Sequence, residues 1–376
     1  MQRRNFLIGM MGLAAMATAG CTTNKGGSTT SASAATSASA SGGAKLDSVK
    51  AAWIYVGPIN DGGWTAAHDE GRKKAVSALG GKLTTTYKEN VPEGPETTQT
   101  IEDLIKDGNK IIFATSFGFG DAMLAAAKKY PDVKFLHSTG AWHNTTPNFG
   151  TYYGASEETI YLCGMAAAKA SKSGTIGFVA PFQIPEVVRH INAFTLGVQS
   201  VNPAHKVKVV WINSWFDPAK ERQAAESLIS QGADVISNGG DSPAPGEAAK
   251  AAGVPWIGYD SDQSANFPEV WLTANIYNWG PYYIRQIQSV LDGTWKKEDY
   301  YGNMKDNFCT LAPYGKRVDQ ATQDLIKAKQ EQITAGSLQI FKGPLKDNKG
   351  AEKVPAGTTM TPDQLQAVDW LIAGVI

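Results

Sequence analysis

From Leu46 to Asp260 the chain alternates short apolar runs with amphipathic stretches, and that alternation admits few folds. VKAAWIYVG, KIIFATS and VKFLHSTG are too short for buried helices, so each predicts a strand. Between them, WTAAHDEGRKKAVSAL sets Ala67, Gly71, Ala75 and Leu79 on one helical face. KLTTTYKENV is β-branched and alternates, which predicts a further strand. PETTQTIEDLIKDG, stopped at Gly108, and GDAMLAAAKKYP predict helices. Strands and helices in this order build a parallel sheet with crossover helices. The pattern then repeats. EETIYLCGMAAAKASKSG, IPEVVRHINAFTLGVQSV, PAKERQAAESLISQG and APGEAAKAAG predict helices. TIGFVAP, KVKVVWINS, ADVISNG and VPWIGYDS predict the strands among them. Two consecutive α/β units follow, and open parallel sheets bind ligands at the carboxyl ends of their strands. Two such lobes facing each other make a cleft. Beyond them lie EVWLTANIYNWG, the helix PYYIRQIQSVLDG, NFCTLAPYG, one more helix, a hairpin-like LQIFKGPLKDNKG and TPDQLQAVDWLIAGVI.

The beginning of the chain reads differently. Arg3 and Arg4 precede an apolar, Ala/Gly-rich run from Phe6 to Ala19 that is too short to span a bilayer comfortably. A secretory signal over residues 1–20 is the expectation. Gly20-Cys21 resembles a lipobox, with Thr18 where that motif usually has Leu, and RRNFL resembles a twin-arginine export motif. The alternative is an ordinary cleaved signal in which Cys21 is incidental. Residues 21–45 are Ser, Ala, Thr and Gly with almost no charge, too little apolar surface to order, and predict a flexible tether. An anchor, a tether and a globular body imply work at a membrane surface by a protein not embedded in it.

Without residues 1–20 the chain carries 33 basic and 35 acidic side chains, a net charge of −2. No basic stripe appears, which argues against a nucleic-acid partner. Cys163 sits in YLCGMAAAKAS as a small core residue, and a disulfide to Cys309 stays open, because sequence cannot place the two within reach.

Chemistry-bearing residues gather just after the predicted strands: Asn60, Asp61 and Trp64; Phe117 and Phe119; Glu186 and Arg189; Trp215; Asp241; Asp260; Trp279. Aromatic rings with carboxylates and amides suit a ligand wall. Plainer roles compete at several positions. Asp61, Asp217 and Asp241 also suit helix N-caps. Glu186 and Arg189 suit a mutual ion pair. Trp64 suits packing under its own loop, and Trp279 suits hinge packing. Catalytic signatures are thin: the histidines form no His-x-x-x-His pair, no G-x-S-x-G or GxxxxGK[ST] occurs, and neither later cysteine has a CxxC partner. Asp61 with Glu186 is a conceivable hydrolase pair, but nothing in the sequence singles them out. No enzyme activity, cofactor or metal is expected.

YVGPINDGGWTAAHDEGR, YKENVPEG, FATSFGFGDAM, IPEVVRHINAFTLGVQSVNP, VVWINSWFDPAKE, GADVISNGGDSPAP and NWGPYY together resemble the basic membrane protein family. These are substrate-binding lipoproteins of ABC transporters, related to purine nucleoside receptors. The resemblance runs from about Lys50 to Tyr314. It implies a type I periplasmic-binding α/β fold, with two Rossmann-like lobes, three crossover strands and a purine in the cleft. It divides the chain into lobe 1 (46–155 and 277–305), lobe 2 (156–276 and 306–345) and a tail (346–376) packing on the lobes. By the resemblance Trp64 stands where family members set a ring against the base. Phe117 and Phe119 fall on the second cleft loop, and Asp260 falls where nucleoside binders place an acid on the ribose. Two departures point to a smaller ligand. Ser237 and Asn238 occupy the strand that usually offers a second stacking ring, and IYNWG lacks the ribose-side lysine. A free base such as adenine is therefore favoured over a nucleoside, with Trp279 supplying the second face. The expected partners are that ligand and ABC permease subunits, with the chain a monomer held at the membrane through Cys21. A sugar receptor of the same fold and a surface-anchored nucleoside hydrolase are the rival readings.

Overall fold

The computed structural model describes residues 44–139 and 145–376, so the predicted signal, Cys21 and most of the tether lie outside the described residues. No described helix is long and apolar enough to cross a membrane. The chain opens with β1 (Val49–Ile54), α1 (Trp64–Leu79), β2 (Leu83–Lys88), α2 (Pro95–Lys106), β3 (Ile111–Ala114), α3 (Gly120–Lys129), β4 (Lys134–Ser138) and β5 (Phe149–Gly154). It continues through α4 (Ser156–Ala170), β6 (Thr175–Ala180), α5 (Pro185–Val201), β7 (Lys206–Trp211), α6 (Pro218–Ser230), β8 (Val235–Asn238), α7 (Ala244–Ala252), β9 (Trp256–Asp260) and β10 (Trp271–Tyr277). Then come α8 (Trp279–Leu291), β11 (Asp299–Gly302), β12 (Cys309–Leu311), α9 (Gln320–Thr334), β13 (Leu345–Lys346), β14 (Glu352–Val354) and α10 (Pro362–Gln366).

Two six-stranded sheets result, in the orders β11-β5-β4-β3-β1-β2 and β12-β10-β9-β8-β6-β7. Every neighbouring pair is parallel except β10 with β12. The chain passes between the sheets three times, from β5 to α4, from β10 to α8 and from β11 to β12. This is the two-lobed α/β architecture that the alternation predicts.

The central strands are buried on both faces, as parallel strands covered by helices must be: β3 and β9 have no exposed residue. Helix starts follow local chemistry. Pro95, Pro185 and Pro218 open α2, α5 and α6. Asp217 caps α6 by accepting the Lys220 amide at 3.1 Å, its plainer sequence role. The buried residues of α1 are Trp64, Thr65, His68, Asp69, Gly71 and Ala75, so the predicted stripe is buried at Gly71 and Ala75 and half-buried at Ala67 and Leu79, and Trp279 and Tyr283 of α8 press on Gly71. In lobe 2, α4 and α5 touch backbone to backbone. A Cβ on Gly164 would stand 2.1 Å from the Phe194 carbonyl, and one on Gly197 would stand 1.9 Å from that of Tyr161.

After α9 the chain forms the antiparallel β13–β14 pair, later than the predicted hairpin, and then α10. Its end lies along lobe 2. The Asn192 amide donates to the Trp370 carbonyl at 2.8 Å and accepts the Ile372 amide at 2.8 Å, and Val375 bridges in parallel to Val207 of β7. Cys163 and Cys309 are both buried and are not bridged.

Candidate functional site

The loops after the parallel strands meet between the lobes. Lobe 1 contributes Val56 beyond β1, Trp64 at the start of α1, Thr115 to Phe117 beyond β3 and Thr139 beyond β4. Lobe 2 contributes Glu186 in the first turn of α5, Trp215 beyond β7, Gly239 and Asp241 beyond β8, and Tyr259 near the end of β9. As the lobes stand, the pocket among these residues has a volume of about 20 Å³. That is little more than the room one water needs. Phe117, Thr139 and Glu186 also line an adjoining chamber of about 270 Å³, whose far wall includes Arg189, Asp299 and Tyr301.

Trp64 is held from several sides. Its Nε1 donates to the Thr115 carbonyl at 2.6 Å, and His68, Tyr277 and Trp279 meet it edge-on at 4.3, 5.9 and 5.5 Å. The ring is only 6 % exposed yet lines the pocket, so it is both packed and presented. Phe117 is 38 % exposed and faces both the pocket and the chamber. Trp215 is half-buried at the rim, edge-on to Phe182 at 5.0 Å, and its Nε1 reaches Glu93 of lobe 1 at 3.4 Å. Glu93 also accepts from the Ser116 hydroxyl and the Gly118 amide, so one carboxylate ties the Phe117 turn to the opposite lobe.

The carboxyl groups around the pocket share one electrostatic condition. Asp241 is 3 % exposed, and its Oδ2 has no hydrogen-bond partner. Burial, then the carboxylates of Asp61, Asp260, Glu221 and Glu186, push its pKa well above the usual range. Burial, then Glu186 and Asp61, raise Asp260 likewise. The Asn275 amide donates to its Oδ1 at 3.1 Å, and its Oδ2 has no partner. Glu186 accepts the Tyr153 hydroxyl at 2.7 Å. Burial raises its pKa, against the Tyr153 hydroxyl and the charge of Arg189. Acceptors without donors are costly when buried, so this arrangement suits a guest rich in N–H or O–H groups. Among the described residues no group of His, Cys, Asp and Glu is arranged to hold a metal ion.

Several predicted site residues lie elsewhere. Phe119 is fully buried in the lobe 1 core, because the short helical turn after β3 sends alternate rings to opposite sides and only Phe117 outward. Trp279 is also in the core, stacked on His68 at 4.1 Å and on Tyr277 at 4.8 Å, so it offers no second face to a ligand. Asp61 spends its oxygens on the Gly63, Thr65 and Ala66 amides, capping α1. Asn60 is exposed and lines neither space. Arg189 pairs with Glu157 at 3.3 Å rather than with Glu186. Asp260 sits behind the wall rather than on it. Trp64, Phe117, Glu186, Trp215 and Asp241 come together. The sequence reading missed Thr139, Tyr259 and Tyr153. Tyr153 belongs to β5, and no alternation marked that strand. Glu93 stood inside the quoted YKENVPEG but carried no assigned role.

A family model described as ABC transporter substrate-binding protein, PnrA-like, matches residues 48–340. A purine-binding protein of Brucella abortus is 43 % identical over 329 residues, covering 88 % of this chain and 93 % of that protein. A putative ABC transporter glucose-binding protein of Haloferax volcanii is 40 % identical over 298 residues, covering 79 % and 75 %. Among solved structures, an ABC transporter solute-binding protein from Aeropyrum pernix aligns with a TM-score of 0.69 at 18 % identity, over 84 % of this chain and 95 % of that one.

Proposed function

The chain belongs to the PnrA-like family of ABC transporter substrate-binding proteins, and from that premise we propose that it captures a free purine base and delivers it to a permease. On this reading it is exported, tethered to a membrane through a lipid on Cys21, and closes its lobes on the base without chemical turnover. The observation that carries the reading is the pairing, in one small pocket, of two aromatic rings with unpartnered acid oxygens. Trp64 and Phe117 offer faces to a planar ring, while Asp241 Oδ2 and Glu186 Oε2 await donors. Adenine brings an exocyclic amine and a ring N–H, both donors. Stacking contributes roughly 0.5–1.5 kcal/mol per ring beyond area burial, and a hydrogen bond to a charged acceptor roughly 1.5–3 kcal/mol. With the apolar area buried on closure added and association costs taken off, two rings and two such bonds reach about −8 kcal/mol, near micromolar affinity. Room for the base comes from the adjoining chamber, with which the pocket shares Phe117, Thr139 and Glu186. The purine-binding name of the Brucella relative supports the same choice.

Native mass spectrometry of the protein purified without extraction tests it. A co-purified mass equal to a purine base supports the reading, a nucleoside mass moves it to base plus ribose, and a hexose mass overturns it. The glucose-binding name of the Haloferax relative favours the sugar alternative, since carboxylates also accept from hydroxyls. Incubation with adenosine or inosine tests the hydrolase alternative: release of free base would contradict the receptor reading.

A further inference from the structure

We infer that Ser261 and Gln263 are positioning residues that latch the lobes shut through the main-chain carbonyl of Gly62, an inference resting on the receptor reading above. Gly62 belongs to lobe 1 and follows Asp61 in the turn before α1. Its carbonyl accepts from the Ser261 hydroxyl and, at 2.8 Å, from the Gln263 amide, both of lobe 2. Gln263 is held in place for this. Its Nε2 also donates to Ser261 Oγ at 3.0 Å, and its Oε1 accepts from Asn266 at 2.8 Å.

The backbones on both sides fit this contact. Gly62 has a φ of +80°, the left-handed region that glycine enters at little cost. Gly63 lies directly on the main chain of Asp241, where an added Cβ would stand 2.5 Å from its carbonyl oxygen. Opposite, Asp260 holds a φ of +60°, uncommon for a residue other than glycine and a frequent companion of function. That turn points the Asp260 carboxyl inward to Asn275 while its neighbour Ser261 reaches across to Gly62.

The latch therefore adjoins the site on both sides. Gly62 and Gly63 lead directly into Trp64, Ser261 follows Asp260, and Gly63 rests on Asp241. A guest thin enough to let the lobes meet gains both hydrogen bonds and the Gly63 contact. A thicker guest, such as a sugar ring in its chair form, holds the lobes apart and forfeits them. The latch thus acts as a thickness gauge that favours a flat ring.

The test reads the latch both without and with ligand. Spin labels at Glu96→Cys on α2 and Glu226→Cys on α6, both exposed, report the distance between lobes in a Cys21→Ser background. Without ligand, the double variant S261A/Q263A is expected to shift the distance distribution toward longer separations than in the parent. With adenine as probe, its dissociation rate is expected to rise about tenfold, the size of two ordinary hydrogen bonds. Gly63→Ala is expected to stay open at saturating adenine. Parent-like distances in S261A/Q263A without ligand overturn the latch. A latch-dependent distance shift in a protein that binds no adenine overturns the purine reading alone.

Discussion

Trp64 shows how one side chain serves the fold and the site together. Its indole N–H is spent on Thr115 and its edges on His68 and Trp279, which fixes the ring without covering its pocket side. Trp64→Ala is expected to weaken adenine binding by at least tenfold in a calorimetric titration, with the fold retained by circular dichroism; unchanged affinity would remove the ring from the site. Phe117 and Phe119 mark what sequence leaves open at this scale. Both are apolar and both follow β3, and only the direction of a single helical turn decides which one faces the cleft. A second residue-scale prediction concerns Glu221, fully buried behind Ser242 and raised by burial from 4.5 to about 7. Between those pH values the folded chain holds a proton that the unfolded chain has lost. The stability contributed by that proton is full below pH 4.5 and is lost as pH rises through about 7. The shift corresponds to roughly 3 kcal/mol. Glu221→Gln is expected to flatten the fall in thermal stability over this window and to melt higher than the parent at pH 8. An unaltered pH profile would show that Glu221 is charged in the fold.

At the scale of elements, periodicity located the helices well. α1 begins and ends where WTAAHDEGRKKAVSAL does, and glycine with positive φ follows α2 at Gly108 and α7 at Gly253. β5 was not legible. FGTYYG is buried at every position, so no polar face gives it a period. Missing β5 hid Tyr153, the residue that holds Glu186. YLCGMAAAKAS marked a helix with Cys163 as a small core residue but not its neighbour: α4 meets α5 so closely that Gly164 and Gly197 have no room for a methyl. Gly197→Ala is therefore expected to cost at least about 1–3 kcal/mol by overpacking. In a thermal scan this reads as a melting point lower by several degrees. A neutral result would mean that the two helices separate easily.

At the scale of the whole molecule, the doubled α/β alternation was enough to predict two lobes with a cleft at the strand ends, because parallel sheets leave few alternatives. How nearly the lobes meet was beyond it. Closure depends on backbone contacts such as Gly63 with Asp241, which no side-chain pattern announces. Closure also gathers Asp241 and Glu186 on the pocket wall, with Asp260 behind it, and the raised pKa values of the two wall acids mean that a guest offering N–H donors displaces protons. Adenine affinity is accordingly expected to rise with pH through the acid range, with proton release visible as a dependence of binding heat on the buffer. Affinity that falls with pH would reverse that assignment. The most direct measurement is a calorimetric titration of the purified protein with adenine, adenosine and glucose side by side. Micromolar or tighter binding of adenine, weaker binding of adenosine and no heat from glucose is the result expected of a purine-base receptor. Saturable glucose binding with none from adenine would contradict it.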